Sequence, residues 1–171
     1  GSLPSAGNIS RCFNSGNISC TRSGGICGYI NNPTFGNSIF KEIYSCYNTG
    51  TITGQRNGGI LGEFNYGFTI NNSFKIRNCY NIGNSTAGIL NLDGSKPPNF
   101  EPFTLTNCFW KQGTATYAVV SIFMPSSNVG ASLFSATAWP SASTEWNATD
   151  WKSLGSWNNG NPIYPKLIFE N

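Results

Sequence analysis

One pattern is spelled out repeatedly along the first two thirds of the chain, and it limits the fold more than any other feature. Residues 9–30, ISRCFNSGNISCTRSGGICGYI, align without gaps on residues 43–64, IYSCYNTGTITGQRNGGILGEF. Residues 76–92, IRNCYNIGNSTAGILNL, repeat it with a shortened middle, and residues 105–124 open on a degenerate fourth version, LTNCFWKQGT. The anchoring cysteines Cys12, Cys46, Cys79 and Cys108 are separated by 34, 33 and 29 residues. A unit this short cannot enclose an apolar core alone, so successive units must stack on one another.

The columns of this alignment show what is stacked. An aromatic follows each cysteine: Phe13, Tyr47, Tyr80 and Phe109. Asn14, Asn48 and Asn81 come next, with Trp110 breaking the series, and then Gly16, Gly50 and Gly83, each at a bend requiring positive φ or close backbone approach. Ile18 and Ile52 return to an apolar position where Ser85 and Thr114 do not. Gly24-Gly25-Ile26, Gly58-Gly59-Ile60 and Ala87-Gly88-Ile89 open a further short strand. Helix formers are sparse while Gly, Asn, Ser and Thr abound, so long helices are not expected. The chain reads as all-β: a parallel β-helix or β-solenoid of about three to four coils, in which each column becomes a ladder at the inter-strand spacing of roughly 4.8 Å. Stacked asparagines can bond amide to amide, and the cysteine and aromatic columns can fill space between coils. The less regular connectors, 31–42, 65–75 and 93–104, either add a side to each coil or project as loops.

The NCYNxG element followed by GGILG resembles the GLUG-type repeats of large surface and secreted proteins, many of them adhesin-like, in bacteria and some other microbes. The likeness covers residues 9 to about 114 and implies a solenoid in a surface protein. It implies similarly that the Trp-rich tail ending in PIYPKL closes the array. Residues 3–124 are therefore assigned to the repeats and 125–171 to a C-terminal capping segment carrying Trp139, Trp146, Trp151 and Trp157. An open coil end would otherwise expose sheet edges. The whole is one structural domain. Gly1-Ser2 reads as an expression scar, and the chain is expected to be a piece of a longer protein.

Chemistry-bearing groups are few. There is no histidine, and the six cysteines include no C-x2-C pair, so neither a metal site nor a cofactor is expected. Cys20 and Cys27 occur only in the first copy. Free thiols are expected there, and a bridge between them stays sterically open. The acids Glu42, Glu63, Asp93, Glu101, Glu145, Asp150 and Glu170 form no cluster and read as solvated charges. Sequons at Asn8, Asn17, Asn71, Asn84 and Asn147 carry little weight in so Asn- and Ser-rich a chain. A net charge of +3 without a basic cluster argues against nucleic acid, and no apolar run is long enough for membrane insertion by a helix.

The expectation is a non-enzymatic surface, secreted or virion-associated module for display or attachment, monomeric as isolated, whose partner is a cell-surface glycan or another surface protein. Phe13, Tyr47, Tyr80, Phe109 and Trp110 are candidate glycan-stacking residues. In a straight strand the rings after the cysteines point opposite to them, so inward cysteines mean outward rings. Connectors folding over the rings, or rings facing in, are the alternatives. Cys12, Cys46, Cys79, Cys108, Asn14, Asn48 and Asn81 are the candidate structural ladders. The competing reading is a polysaccharide-processing β-helix enzyme or its accessory domain.

Overall fold

Glycines and tight corners interrupt every apolar run, and the computed structural model accordingly contains strands of two to six residues and no helix among the described residues. It describes residues 6–32, 39–66, 74–93, 103–121, 131–134, 149–153, 156–158 and 161–170. The first repeat supplies β1 (Ala6–Ser10), β2 (Phe13–Asn14), β3 (Ile18–Ser19) and β4 (Cys27–Asn32). The second supplies β5 (Ile39–Tyr44), β6 (Tyr47–Asn48), β7 (Ile52–Thr53) and β8 (Leu61–Tyr66). The third supplies β9 (Phe74–Arg77), β10 (Tyr80–Asn81) and β11 (Leu90–Asp93), and the fourth β12 (Phe103–Thr106), β13 (Cys108–Lys111) and β14 (Val119–Ser121). Then follow β15 (Ala131–Phe134), β16 (Trp151–Ser153), β17 (Ser156–Asn158), β18 (Asn161–Ile163) and β19 (Lys166–Leu167).

Each repeat adds one strand to each of three parallel sheets, ordered β1-β5-β9-β12, β2-β6-β10-β13-β15 and β4-β8-β11-β14, while β3 pairs with β7. The arrangement is β-helix-like. The connectors are thus partly strand: β5, β9 and β12 lie side by side in register, with Ile43, Ile76 and Leu105 stacked. Residues 33–38, 67–73 and 94–102 lie outside the described residues. Leu61, Leu90 and Val119 stack in the third sheet, and Cys46, Cys79 and Cys108, which lie between the two sheets in sequence, are buried in the same apolar cluster. The middle sheet continues to β15, beyond residue 124, where the repeats were expected to end. The tail is antiparallel instead, as two pairs, β16 with β19 and β17 with β18.

Two local features differ from the sequence reading. Gly16, Gly50 and Gly83 are not the residues with positive φ; the left-handed corners fall on Arg11, Ser45, Asn78 and Asn107, each just before a cysteine, at φ 50–54°. Close approach requires the second and third of these glycines: a Cβ on Gly50 would sit 2.0 Å from the Gly16 carbonyl oxygen, and one on Gly83 1.9 Å from that of Gly50, whereas one on Gly16 would meet only Asn14 Oδ1 at 3.6 Å. The third repeat is also a residue shorter than its alignment implied. A bulge between β8 and β11 places Leu92 opposite Phe64 rather than Glu63, which keeps Leu92 in the core.

Candidate functional site

The strand after each left-handed corner sends successive side chains to opposite faces. The cysteines point into the core, where Cys46, Cys79 and Cys108 are fully buried and each thiol meets the carbonyl two residues before it, at 3.1, 3.2 and 3.4 Å. Burial first, then contact with the Cys108 and Cys46 thiols, pushes the Cys79 thiol well above its ordinary range. All six cysteines are free thiols, so Cys20 and Cys27 are not bridged in this structure. Burial likewise pushes Cys27 up to about 11.

The asparagines also face inward and form a continuous line. Asn14 Nδ2 donates to Asn48 Oδ1 at 2.7 Å, and Asn48 Nδ2 to Asn81 Oδ1 at 2.8 Å. Each Nδ2 gives its other proton to the carbonyl two residues on, of Gly16, Gly50 or Gly83, at 2.7–2.9 Å. Asn48 and Asn81 have no solvent exposure, so these bonds satisfy groups that would otherwise be costly to bury. Gly25, Gly59 and Gly88 pack edge-on against this line: a Cβ there would meet Asn48, Asn81 and Trp110 at 2.3–2.6 Å. Trp110 takes the fourth position, is 1% exposed, and bonds to the Ala115 carbonyl instead, while Asn81 finds Ser85 Oγ at 3.2 Å.

The rings face the other way and stack face to face. Phe13 and Tyr47 lie 5.2 Å apart at 11°, Tyr47 and Tyr80 4.7 Å apart at 2°. This row is not open to solvent, because the tail runs over it. Trp151 packs on Tyr47 and Tyr80, Tyr164 on Tyr80 and Phe169 on Phe13. Tyr80 OH donates to the Pro165 carbonyl at 2.7 Å, and Tyr47 OH to Glu170. Burial, reinforced for Tyr47 by Glu170, raises both phenols above their usual range. Tyr47, Tyr80 and Phe109 are buried, and of the four only Phe13, at 44% exposure, presents a face to solvent.

Two of the acids read as solvated are buried. Glu63 meets Arg22 at 3.1 Å and Arg56 at 3.3 Å, and these arginines occupy equivalent left-handed corners of the first two repeats. Asp150 accepts from Arg11 Nε at 2.6 Å and Ser45 Oγ at 2.7 Å, both again at left-handed corners. Glu42 is bound by Arg77, whose guanidinium lies over the Tyr44 ring. Among the described residues each of these acids has a cationic partner and Glu170 a phenolic one. Sequence offered a signal for Glu63, since Arg22 and Arg56 align; it offered none for Asp150. The side chains of Asp93, Glu101 and Glu145 lie outside the described residues, as do Trp139, Trp146, Asn71 and Asn147.

A shallow groove of about 630 Å³ opens where the third and fourth repeats bend. Its walls carry Ser85, Thr86, Gln112, Thr114 and Thr116 and no titratable side chain. The exposed ring of Tyr117 follows directly. Among the described residues no group of His, Cys, Asp or Glu is placed to hold a metal ion. No family model, curated protein or solved structure matches this chain.

Proposed function

We propose that the chain is a non-enzymatic β-solenoid module of about three to four GLUG-type coils, closed by its C-terminal segment. It serves display or attachment on a cell surface, in a secreted protein or on a virion. The observation that carries this reading is the uncharged groove of Ser85, Thr86, Gln112, Thr114 and Thr116, followed along the chain by the exposed Tyr117. Uncharged hydroxyl and amide groups suit the polar ring edges of a neutral saccharide, and an exposed aromatic ring suits its apolar faces. The pairing of Glu42, Glu63 and Asp150 with arginines supports the non-enzymatic part, because glycoside cleavage needs two carboxyl groups across one cleft.

The test is a glycan-array and host-cell binding screen of the purified chain, with Gln112→Ala, Tyr117→Ala and Phe13→Ala alongside. Retention of a neutral glycan, weakened on the order of tenfold by Gln112→Ala and Tyr117→Ala with unchanged circular dichroism, is the expected result. A folded wild type that binds no glycan or cell leaves a spacer role. Release of reducing ends from any polysaccharide would overturn the non-enzymatic reading.

A further inference from the structure

Among the described residues the first repeat is the outermost layer at one end of the stack. Among those residues β1, β2 and β4 are each the outermost strand of their sheet and β3 pairs with β7 alone, so every strand of the first repeat presents an edge on the same side. These strands, AGNIS, FN, IS and CGYINN, contain no charged residue and no proline, the usual devices that keep a sheet edge from pairing. Each column loses its cover there. Tyr47 and Tyr80 are 5% and 1% exposed but Phe13 is 44%; Cys46 and Cys79 are buried but Cys12 is exposed; Ile52 is buried but Ile18 only half so. Asn48 Oδ1 and Asn81 Oδ1 each accept an amide from the preceding repeat, whereas among the described residues Asn14 Oδ1 accepts only from the Gly16 N–H.

We infer that this edge of the first repeat is a docking surface for one further repeat of the same spelling, carried by another stretch of polypeptide with an aromatic-Asn pair. The surface is continuous in kind with the one between the first two repeats, and its chemistry has a direction. The amide chain runs one way, each Nδ2 donating toward the next repeat, so the open end requires a donor amide over Asn14 and a ring over Phe13. Among the described residues a second copy of this chain does not supply them. Its opposite end offers β15, where Ala131, Ser132 and Leu133 stand opposite Cys108, Phe109 and Trp110, with neither an amide nor a ring in those columns. A single extended peptide would cover one edge of four. A whole repeat covers them all.

The test appends residues 39–71 directly before Ala6 in the full chain, a join that preserves register because Ala6 pairs with Ile39. Tethering makes the docking intramolecular, so even a weak contact is populated. Native-state hydrogen exchange at the Phe13, Ser15 and Gly24 amides, whose counterparts Tyr47, Thr49 and Gly58 donate to the preceding repeat, is expected to slow by about tenfold or more relative to the unextended chain. The same extension carrying Tyr47→Ser and Asn48→Leu within the appended unit should leave those amides near their original rates. Unchanged exchange with the unaltered extension would overturn the proposal, as would equal slowing by both extensions. Concentration-dependent self-association of the unextended chain, abolished by Phe13→Asp, would assign the surface to a second copy instead. Glycan binding is read separately, so failure here leaves the groove untouched.

Discussion

At the residue scale, identical side chains do different work according to their depth in the stack. Asn48 gives and receives an amide bond and also caps the Gly50 carbonyl, all without solvent. Asn48→Leu would strand an Asn14 donor, an Asn81 acceptor and that carbonyl, so a loss of about 3 kcal/mol is expected by urea unfolding. Asn14→Leu, at the half-exposed end, should cost less than about 1 kcal/mol because water can replace the lost bond. Cys27 shows how burial couples to pH. Its thiol is pushed from 9.0 to about 11, so between those values the unfolded chain has released a proton that the native chain keeps. Its contribution is therefore complete below pH 9 and lost as pH rises toward 11, a fall of about 2–3 kcal/mol. Tyr47 and Tyr80 shift in the same direction and steepen the loss above pH 10. Urea midpoints measured from pH 8 to 11 should fall, and less steeply in Cys27→Ala.

At the scale of elements, the tail is held to the ring row by contacts of different character, and these are separable. Trp151 is 2% exposed and packs on two tyrosines, whereas the Tyr80 hydroxyl makes one bond to the Pro165 carbonyl. Trp151→Ala is expected to cost about 3–5 kcal/mol and Tyr80→Phe about 1 kcal/mol. If the tail opens before the sheets do, Trp151→Ala will also speed exchange at Ile168, whose N–H bonds to the Asp150 carbonyl, while leaving Leu90 slow. Equal acceleration at both amides would mean that tail and sheets unfold as one unit. The arginine pairs belong to this scale too. Arg11, Arg22 and Arg56 sit at left-handed corners, a conformation a side chain seldom adopts, and each has a carboxylate partner.

For the molecule as a whole, a stack in which each repeat touches only its neighbours has stability that varies along its axis. The second and third repeats are covered on both sides; the first is covered on one. Native-state exchange should therefore be slowest at Leu61, Ile76 and Leu90, which are fully buried, and fastest at Phe13 and Ser15, whose counterparts Tyr47 and Thr49 bond to a preceding repeat. A uniform rate across all repeats would show instead that they open together.

The period of the cysteines, the all-strand content and the parallel pairing of aligned residues were legible in the sequence. Stacking at a constant spacing makes every repeat meet the same neighbours, and a shared environment leaves a shared spelling. The tertiary structure decided what has no period. It chose close approach over positive φ for Gly50, moved Leu92 by a bulge, and drew the tail across the rings rather than leaving them open. Ser45 finds Asp150 across 105 positions and Tyr47 finds Glu170 across 123, each once only. A contact made once between distant segments repeats nowhere, so only the folded chain reveals it.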